Sequence, residues 1–106
     1  MTLREVCENA GVSRRAVQGY EQAGLITPIG KNKRGYLLYS QEEQEKIKQI
    51  KFSQEMGFSI KEIKKMSSAP REDVKKAIEQ KIEALWLEIE RKESIIERAE
   101  LLLKQL

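Results

Sequence analysis

The chain has 106 residues, of which 35% are charged and 40% hydrophobic, and its formal net charge is +3. This length suits one small domain, or one domain with an appendage. The absence of histidine and the single cysteine, Cys7, exclude an internal disulfide and the common catalytic triads, dyads and Cys/His zinc sites. No apolar run is long enough to cross a membrane, and no cleavable signal follows Met1. We therefore expect a cytoplasmic protein that binds rather than catalyses, with no cofactor and no metal.

The charge is distributed unevenly along the chain. Residues 1–70 contain 12 basic and 8 acidic residues, whereas residues 71–106 contain 8 basic and 9 acidic residues. A positive excess at one end favours contact with the phosphates of a nucleic acid, although ordinary surface charge is the alternative. The balanced C-terminal part is typical of a solvated helix.

Helix starts are marked by three capping boxes, in which a hydroxyl and a carboxylate three residues later satisfy each other's backbone amides. The three pairs are Thr2 with Glu5, Ser40 with Glu43, and Ser59 with Glu62. The first predicted helix ends at Gly11, because glycine tolerates a left-handed backbone. Ser13 is positioned to cap a second helix that extends to about Ala23.

Beyond the second helix, residues 26–39 are apolar at both ends and rich in Gly, Lys and Arg between them. This pattern predicts a β-hairpin, although no two-residue primed turn determines its register. A helix over residues 41–56 and a short helix over residues 60–66 follow. Pro70 then opens a last helix that extends to Leu106 without a Pro or Gly. The predicted fold is mostly α-helical with one small β-hairpin.

The last helix repeats apolar residues at alternating intervals of four and three, as the seam of a coiled coil does. Its 36 residues would extend about 54 Å, too far to bury that seam against residues 1–70 of the same chain, which we call the head. We therefore expect a second copy of the chain as the partner, with a helix folded over its own head as the alternative. The apolar seam residues are Ile78, Ile82, Leu85, Ile89, Ile96, Ala99, Leu103 and Leu106, and Lys92 is the one polar member. Further apolar residues outside the seam, which predict a second contact surface, are Trp86, Leu87, Ile95, Leu101 and Leu102.

The two N-terminal helices, joined at Gly11, have the spacing of a helix-turn-helix. Val17 is placed to fill the core beneath the second helix, while Arg14, Arg15 and Gln18 are placed outward. In such a unit the second helix enters the major groove, where Arg binds guanine and Gln binds adenine through two hydrogen bonds each. The alternative is that these arginines are solvated surface residues.

Several motifs within residues 1–66 occur in the order and spacing of one protein family. They are Gly11-Val12-Ser13, Tyr20-Glu21 with Gly24-Leu25-Ile26 and Pro28, Gly35-Tyr36 with Tyr39-Ser40, and Gly57-Phe58-Ser59-Ile60 with Glu62-Ile63. In these motifs the chain resembles the MerR family of bacterial transcription regulators. The resemblance implies a winged helix-turn-helix DNA-binding domain over residues 1–69 and an antiparallel coiled-coil dimerisation helix over residues 70–106. It also implies a homodimer that binds double-stranded DNA at a promoter palindrome, distorts the promoter and acts with RNA polymerase.

Departures from the family pattern alter the expected DNA contacts. Gln18 and Gly19 stand where the family commonly has Arg and Tyr, and Leu37 stands where its wing commonly has Arg. The cations of the hairpin loop are expected to supply replacement charge. The predicted DNA-contacting residues are Ser13, Arg14, Arg15, Gln18, Gly19, Tyr20, Lys31, Lys33, Arg34 and Tyr36. Tyr39 and Cys7 are predicted to be buried in the core.

Two other functions remain open, together with one question of length. An architectural factor similar to an excisionase would use the same winged fold to bend several DNA sites. An adaptor would bind protein partners through the coil, and its basic head would be incidental.

Family members with an effector pocket carry a further domain after the coil. Because the chain ends at Leu106, we expect either a short member with rudimentary or no sensing, or a sequence that stops before an effector domain.

Overall fold

A computed structural model describes all 106 residues, Met1–Leu106, which form two compact units, Met1–Ser68 and Ala69–Leu106. The helices are α1 (Leu3–Ala10), α2 (Arg14–Gln22), α3 (Gln41–Glu55), α4 (Ile60–Met66) and α5 (Arg71–Lys104), and the strands are β1 (Gly30–Lys31) and β2 (Leu37–Leu38). The first unit holds α1 to α4 and the two strands, and the second holds α5. This order of elements is that of a winged helix-turn-helix followed by a long helix, as the sequence predicts.

Short polar caps determine where the helices begin. At α4, Ser59 Oγ accepts from the N–H of Glu62 at 3.1 Å, and the Glu62 carboxylate accepts from the N–H of Ser59 at 2.9 Å. Thr2 and Glu5 form the same capping box at the start of α1. Ser13 caps α2 by accepting from the backbone N–H three residues later. Each bond satisfies an amide that has no partner within the helix, which confirms these three predicted starts.

The capping box predicted at Ser40 is wrong in its second half. Ser40 does cap α3, accepting from the N–H of Glu43 at 3.1 Å. The Glu43 carboxylate instead accepts from the N–H of Thr27 at 2.9 Å and from Lys46 Nζ at 3.0 Å. The Glu43 carboxylate therefore binds a backbone amide of the loop before the hairpin and not the amide of Ser40. This hydrogen bond joins that loop to α3.

The core of the first unit lies where the apolar faces of α1 to α4 and the segments flanking the sheet meet. Its buried hydrophobic residues are Val6, Val17, Tyr20, Ile26, Tyr39, Ile47, Ile50, Phe58 and Ile63. Burial of Val17 and Tyr39 confirms the sequence prediction for both. The prediction for Cys7 is wrong in degree, because it lies at the edge of the apolar face of α1 and is only half-buried. Partial burial nevertheless raises the pKa of its thiol.

The turn between α1 and α2 depends on Gly11 and on a lysine from α3. Gly11 has a φ of 66°, in the left-handed region that favours glycine, and its N–H donates to the carbonyl of Cys7. Lys51 Nζ donates to the carbonyl of Ala10 at 3.2 Å. A cation at the C-terminus of a helix is favourable because it faces the negative end of the helix dipole. Lys51 therefore joins α3 to the turn of the helix-turn-helix.

The two strands form a short antiparallel ribbon that also pairs with the start of the chain. In its register, Gly30 lies opposite Leu38 and Lys31 lies opposite Leu37. Thr2 forms an isolated antiparallel bridge with Leu38, on the other edge of β2. The residue before α1 is thereby joined to the hairpin of β1 and β2, which is the wing. Backbone pairing therefore holds α1 and the wing together.

The hairpin closes through a three-residue loop. The N–H of Asn32 donates to the carbonyl of Tyr36 at 2.9 Å, and the N–H of Gly35 donates to the carbonyl of Asn32 at 3.0 Å. Gly35 has a φ of 81°, which makes it the left-handed residue that this common class of loop requires. Asn32 Oδ1 accepts from the N–H groups of Arg34 and Tyr36 at 2.9 and 3.0 Å. These bonds support the exposed tip of the wing.

Candidate nucleic-acid interface

The exposed face of α2 carries the cationic and amide side chains that the sequence predicts there. The Ser13 cap makes Arg14 the first helical residue, and the inward positions are taken by Val17 and Tyr20. Arg14, Arg15 and Gln18 are all exposed. They share one side of the helix because residues three and four apart are neighbours on a helical surface. The local fold therefore separates a core-facing side of α2 from a polar side.

The prediction that Tyr20 contacts DNA is wrong. Its side chain is only 1% exposed, because it lies three residues after Val17 on the inward side of α2. Its hydroxyl donates to Gln54 Oε1 in α3 at 2.7 Å, and burial raises the pKa of this phenol. Tyr20 therefore positions α2 against α3 instead of reaching the surface.

A second tyrosine connects the wing to α2. Tyr39 directly follows β2 and is 1% exposed, and its hydroxyl donates to the carboxylate of Glu21. Burial, followed by the hydrogen bond and the charge of Glu21, raises the pKa of Tyr39. Since a buried hydroxyl without a partner is costly, this bond favours one placement of the wing relative to α2.

The tip of the wing is basic and carries an exposed aromatic ring. Lys31, Lys33 and Arg34 are all exposed, as the sequence predicts, and Tyr36 is 58% exposed. The three-residue loop places two of these cations, Lys33 and Arg34, at its apex. The wing therefore presents positive charge and one planar side chain to solvent.

A cleft of about 620 Å³ lies between the start of α1, the start of α2 and the wing. Its lining residues are Thr2, Leu3, Arg4, Arg14, Asn32, Arg34, Gly35, Tyr36 and Leu37. Three arginines border it, one from each element, and no acidic residue lines it. Arg4 was not predicted as part of the site, because the sequence shows only an exposed cation on α1. Its nearest charge partner is Glu8, with Nε and Oε1 3.4 Å apart.

Comparison with known proteins assigns this arrangement to a family. Residues 1–69, which contain the helix-turn-helix, the wing, α3 and α4, match the MerR HTH family of regulatory proteins. The chain belongs to the MerR family. The resemblance seen in its sequence motifs is thereby confirmed.

Relatives within the MerR family are longer than this chain. The chain is 35% identical over 95 residues to the HTH-type transcriptional activator mta of Bacillus subtilis, covering 90% of this chain and 37% of that protein. It is 34% identical over 64 residues to the mercuric resistance operon regulatory protein of Bacillus cereus, covering 60% of this chain and 48% of that protein. It thus spans less than half the length of either relative. The crystal structure of MtaN, the N-terminus of the Bacillus subtilis multidrug transporter activator, has a TM-score of 0.69 to this chain at 33% identity, with 97% of each chain covered.

The second unit of this MerR-family chain has no buried residue. Of the predicted interface residues, Ile78 is half-buried and the others are exposed, up to 71% at Leu103 and 97% at Leu106. The seam is therefore accessible along most of α5, and its pairing stays a prediction. The apolar residues outside the seam, such as Trp86 at 63%, are exposed as well.

Two further classes of feature do not occur in the structure. No group of three or more His, Cys, Asp or Glu side chains is placed to hold a metal ion. None of the helices combines the length and apolarity that a membrane span requires.

Proposed function

We propose that this MerR-family chain binds double-stranded DNA as a homodimer and regulates transcription from a promoter in the cytoplasm. The observation that carries the proposal is the exposed polar side of α2, with Arg15 and Gln18 projecting away from the core near a basic wing. Such side chains match the hydrogen-bonding groups of base pairs in the major groove. The surrounding cations match the backbone phosphates.

Base reading falls to the first two turns of α2. Arg15 and Gln18 are three residues apart and lie one above the other on the helix, so they reach neighbouring base pairs. Arg15 suits guanine and Gln18 suits adenine, each through two hydrogen bonds. A Cβ added at Gly19 would meet no atom within 4 Å apart from its chain neighbours and the backbone of its own helix, which leaves room for close approach of DNA to that backbone.

The wing is assigned to the DNA backbone beside the groove that α2 enters. Lys31, Lys33 and Arg34 carry no acidic partner among the ion pairs of the head and are free to face phosphates. Tyr36 offers a hydroxyl and a ring face next to them. Contacts of this kind orient the protein on the duplex without reading its sequence.

Pairing of two α5 helices would place two such heads on one palindrome. The seam holds one polar residue, Lys92, whose Nζ lies 3.5 Å from Glu88 Oε1 in the same helix. A parallel pair in register would set two Lys92 ammonium groups face to face. An antiparallel pair sets each Lys92 opposite an apolar seam position, and it is therefore the arrangement we propose.

The names of the relatives support promoter regulation as the outcome of binding. One is called a transcriptional activator and the other an operon regulatory protein. We extend this to the present chain, with RNA polymerase as the partner at the promoter. An untwisting or bending of promoter DNA is the mechanism that two linked heads allow, since deformation energy can be read as specificity.

Selection of duplexes from a random pool by the full chain tests the proposal. We expect enrichment of one inverted repeat with two equal half-sites. Arg15→Ala should lower affinity by about 1–3 kcal/mol and relax preference at one base pair in each half-site. Arg98→Ala, an exposed arginine of α5, is the control and should bind like the parent chain. Recovery of no preferred sequence would contradict the proposal, and several unrelated bent sites would favour an architectural factor.

A further inference from the structure

We propose that the cleft between α1, α2 and the wing holds one phosphodiester of the DNA backbone, and that Arg4 binds it together with Arg14 and Arg34. The inference rests on the proposed DNA binding and adds to it a contact from α1. It also changes the role of Arg14, which becomes a backbone contact, while Arg15 and Gln18 read bases.

The cleft lies between the two elements that we propose to bind DNA, α2 and the wing. A major groove and the adjacent minor groove are separated by one sugar-phosphate strand. If α2 enters the major groove and the wing lies beside the next groove, that strand must pass between them. The cleft is the space between the start of α2 and the wing, and α1 forms its third side. Its volume of about 620 Å³ leaves room for a phosphodiester with its flanking sugars.

The side chains that line the cleft give it a positive charge. Arg4, Arg14 and Arg34 come from three different elements and border the same space, which no carboxylate lines. Arginine presents a planar fork of donors that matches phosphate oxygens in pairs. Three like charges around one unfilled space repel one another, and an anion between them removes that repulsion. The cleft therefore favours an anionic occupant.

The existing partner of Arg4 does not prevent this contact. Arg4 Nε lies 3.4 Å from Glu8 Oε1, with the two side chains 79% and 67% exposed. Exposed pairs of this type contribute little to stability and exchange readily with solvent. Lys48 and Glu45 of α3 form an equivalent exposed pair at 3.5 Å, outside the cleft. Lys48 is therefore a matched control for Arg4.

The test uses the full chain and the duplex obtained by selection. Each phosphate of one half-site is replaced in turn by a neutral methylphosphonate, and the affinities of the parent chain, Arg4→Gln and Lys48→Gln are measured. At one phosphate per half-site, we expect the replacement to weaken binding by the parent and by Lys48→Gln more than binding by Arg4→Gln, which has already lost one of the three arginine contacts to that phosphate. The magnitude of the slope of log affinity against log salt should fall by up to about 0.9 for each cleft in Arg4→Gln, because Arg14 and Arg34 still contact the phosphate. The ratio of affinities for the selected and an unrelated duplex should stay unchanged, because a phosphate contact carries no sequence information.

Several outcomes overturn the inference and are distinguishable from failure of the proposed function. If the parent chain binds no duplex, DNA binding itself fails. If the parent binds and Arg4→Gln behaves as Lys48→Gln does, only the assignment of the cleft fails. The assignment of the cleft also fails if the losses of binding free energy from Arg4→Gln and from methylphosphonate replacement are additive at every phosphate. Additive losses would mean that Arg4 contacts none of these phosphates. Tight binding of inorganic phosphate that Arg4→Gln abolishes without changing DNA affinity would also overturn it, since the site would then serve a free anion. Circular dichroism of both variants checks that helix content is retained.

Discussion

Gly19 lies within α2, where glycine costs about 1 kcal/mol relative to alanine. Apart from its chain neighbours and the backbone of its own helix, a Cβ at this position meets no atom within 4 Å. Gly19→Ala should therefore raise the free energy of unfolding by about 1 kcal/mol in urea denaturation. Because we place DNA close to this backbone, the same variant should bind the selected duplex more weakly. Greater stability together with undiminished binding would remove Gly19 from the DNA contacts.

The sequence predicts the outward-facing residues of α2 better than it predicts the inward-facing Tyr20. The outward positions of Arg14, Arg15 and Gln18 follow from the helical period once Val17 is placed inward. The same period puts Tyr20 inward as well, three residues after Val17, yet the family motif to which it belongs favoured a DNA contact. Its burial against Gln54 depends on α3, which is distant in sequence. For this residue the local period was the better guide.

The start of α3 contains a carboxyl group whose contribution to stability depends on pH. The hydrogen bond from Thr27, followed by the contact with Lys46, lowers the pKa of the Glu43 carboxyl below its usual value. The folded protein then binds fewer protons at this group than the unfolded chain does. Its contribution to stability is thus complete above the unfolded pKa of about 4.3 and is lost as the pH falls through the lowered pKa. Glu43→Gln should flatten the decline of unfolding free energy with acid, measured by urea titrations from about pH 6 to pH 3.

Glu42→Gln provides the control for that measurement. It makes the same change of charge one residue earlier, at an exposed position without the bond to Thr27. This variant should keep the acid dependence of the parent chain. Equal flattening in both variants would show that general charge, and not the bond to Thr27, sets the acid dependence.

At the level of elements, local signals predict the helix starts and the presence of the hairpin, but they do not predict the register of the hairpin. The hydroxyls of Ser13 and Ser59 act on amides within three residues, so their caps follow from sequence alone. The hairpin loop lacked the two-residue signal, although Asn32 and Gly35 stand at the positions that a three-residue loop favours. The partner of Glu43 was unpredictable because Thr27 lies 16 residues away.

At the scale of the whole molecule, the proposed homodimer depends on the exposed seam of α5. Ile89 and Ile96 occupy the same heptad position, and they are 45% and 55% exposed in the single chain. Changing both to Asp places four carboxylates in the seam of a dimer, where unpaired charge is strongly unfavourable. We expect monomers by analytical ultracentrifugation and weaker DNA binding, because the two heads are no longer linked.

A matched pair of changes outside the seam controls that experiment. Glu90 and Glu97 each lie one residue beyond a seam position, and both are exposed. Glu90→Asp with Glu97→Asp should leave a dimer. Dimers that persist in the Ile89→Asp and Ile96→Asp variant would contradict the assignment of α5 as the pairing element.

The position of the cleft could not be derived from the sequence. Arg4, Arg14 and Arg34 are far apart along the chain, and only the pairing of Thr2 with Leu38 brings the start of α1 to the wing. The charge count of residues 1–70 indicated that the head is basic without indicating where the cations meet. Tertiary backbone pairing supplied that information.

DNA binding by paired basic heads is tested most directly by footprinting across a range of salt concentrations on the DNA upstream of the gene for this protein. If each head neutralises at least two phosphates, the slope of log affinity against log salt for a dimer should be steeper than about −3.6. We expect this slope together with protection of two symmetric half-sites. A flat salt response, or no protected site, would contradict it and favour an adaptor that acts through its long helix.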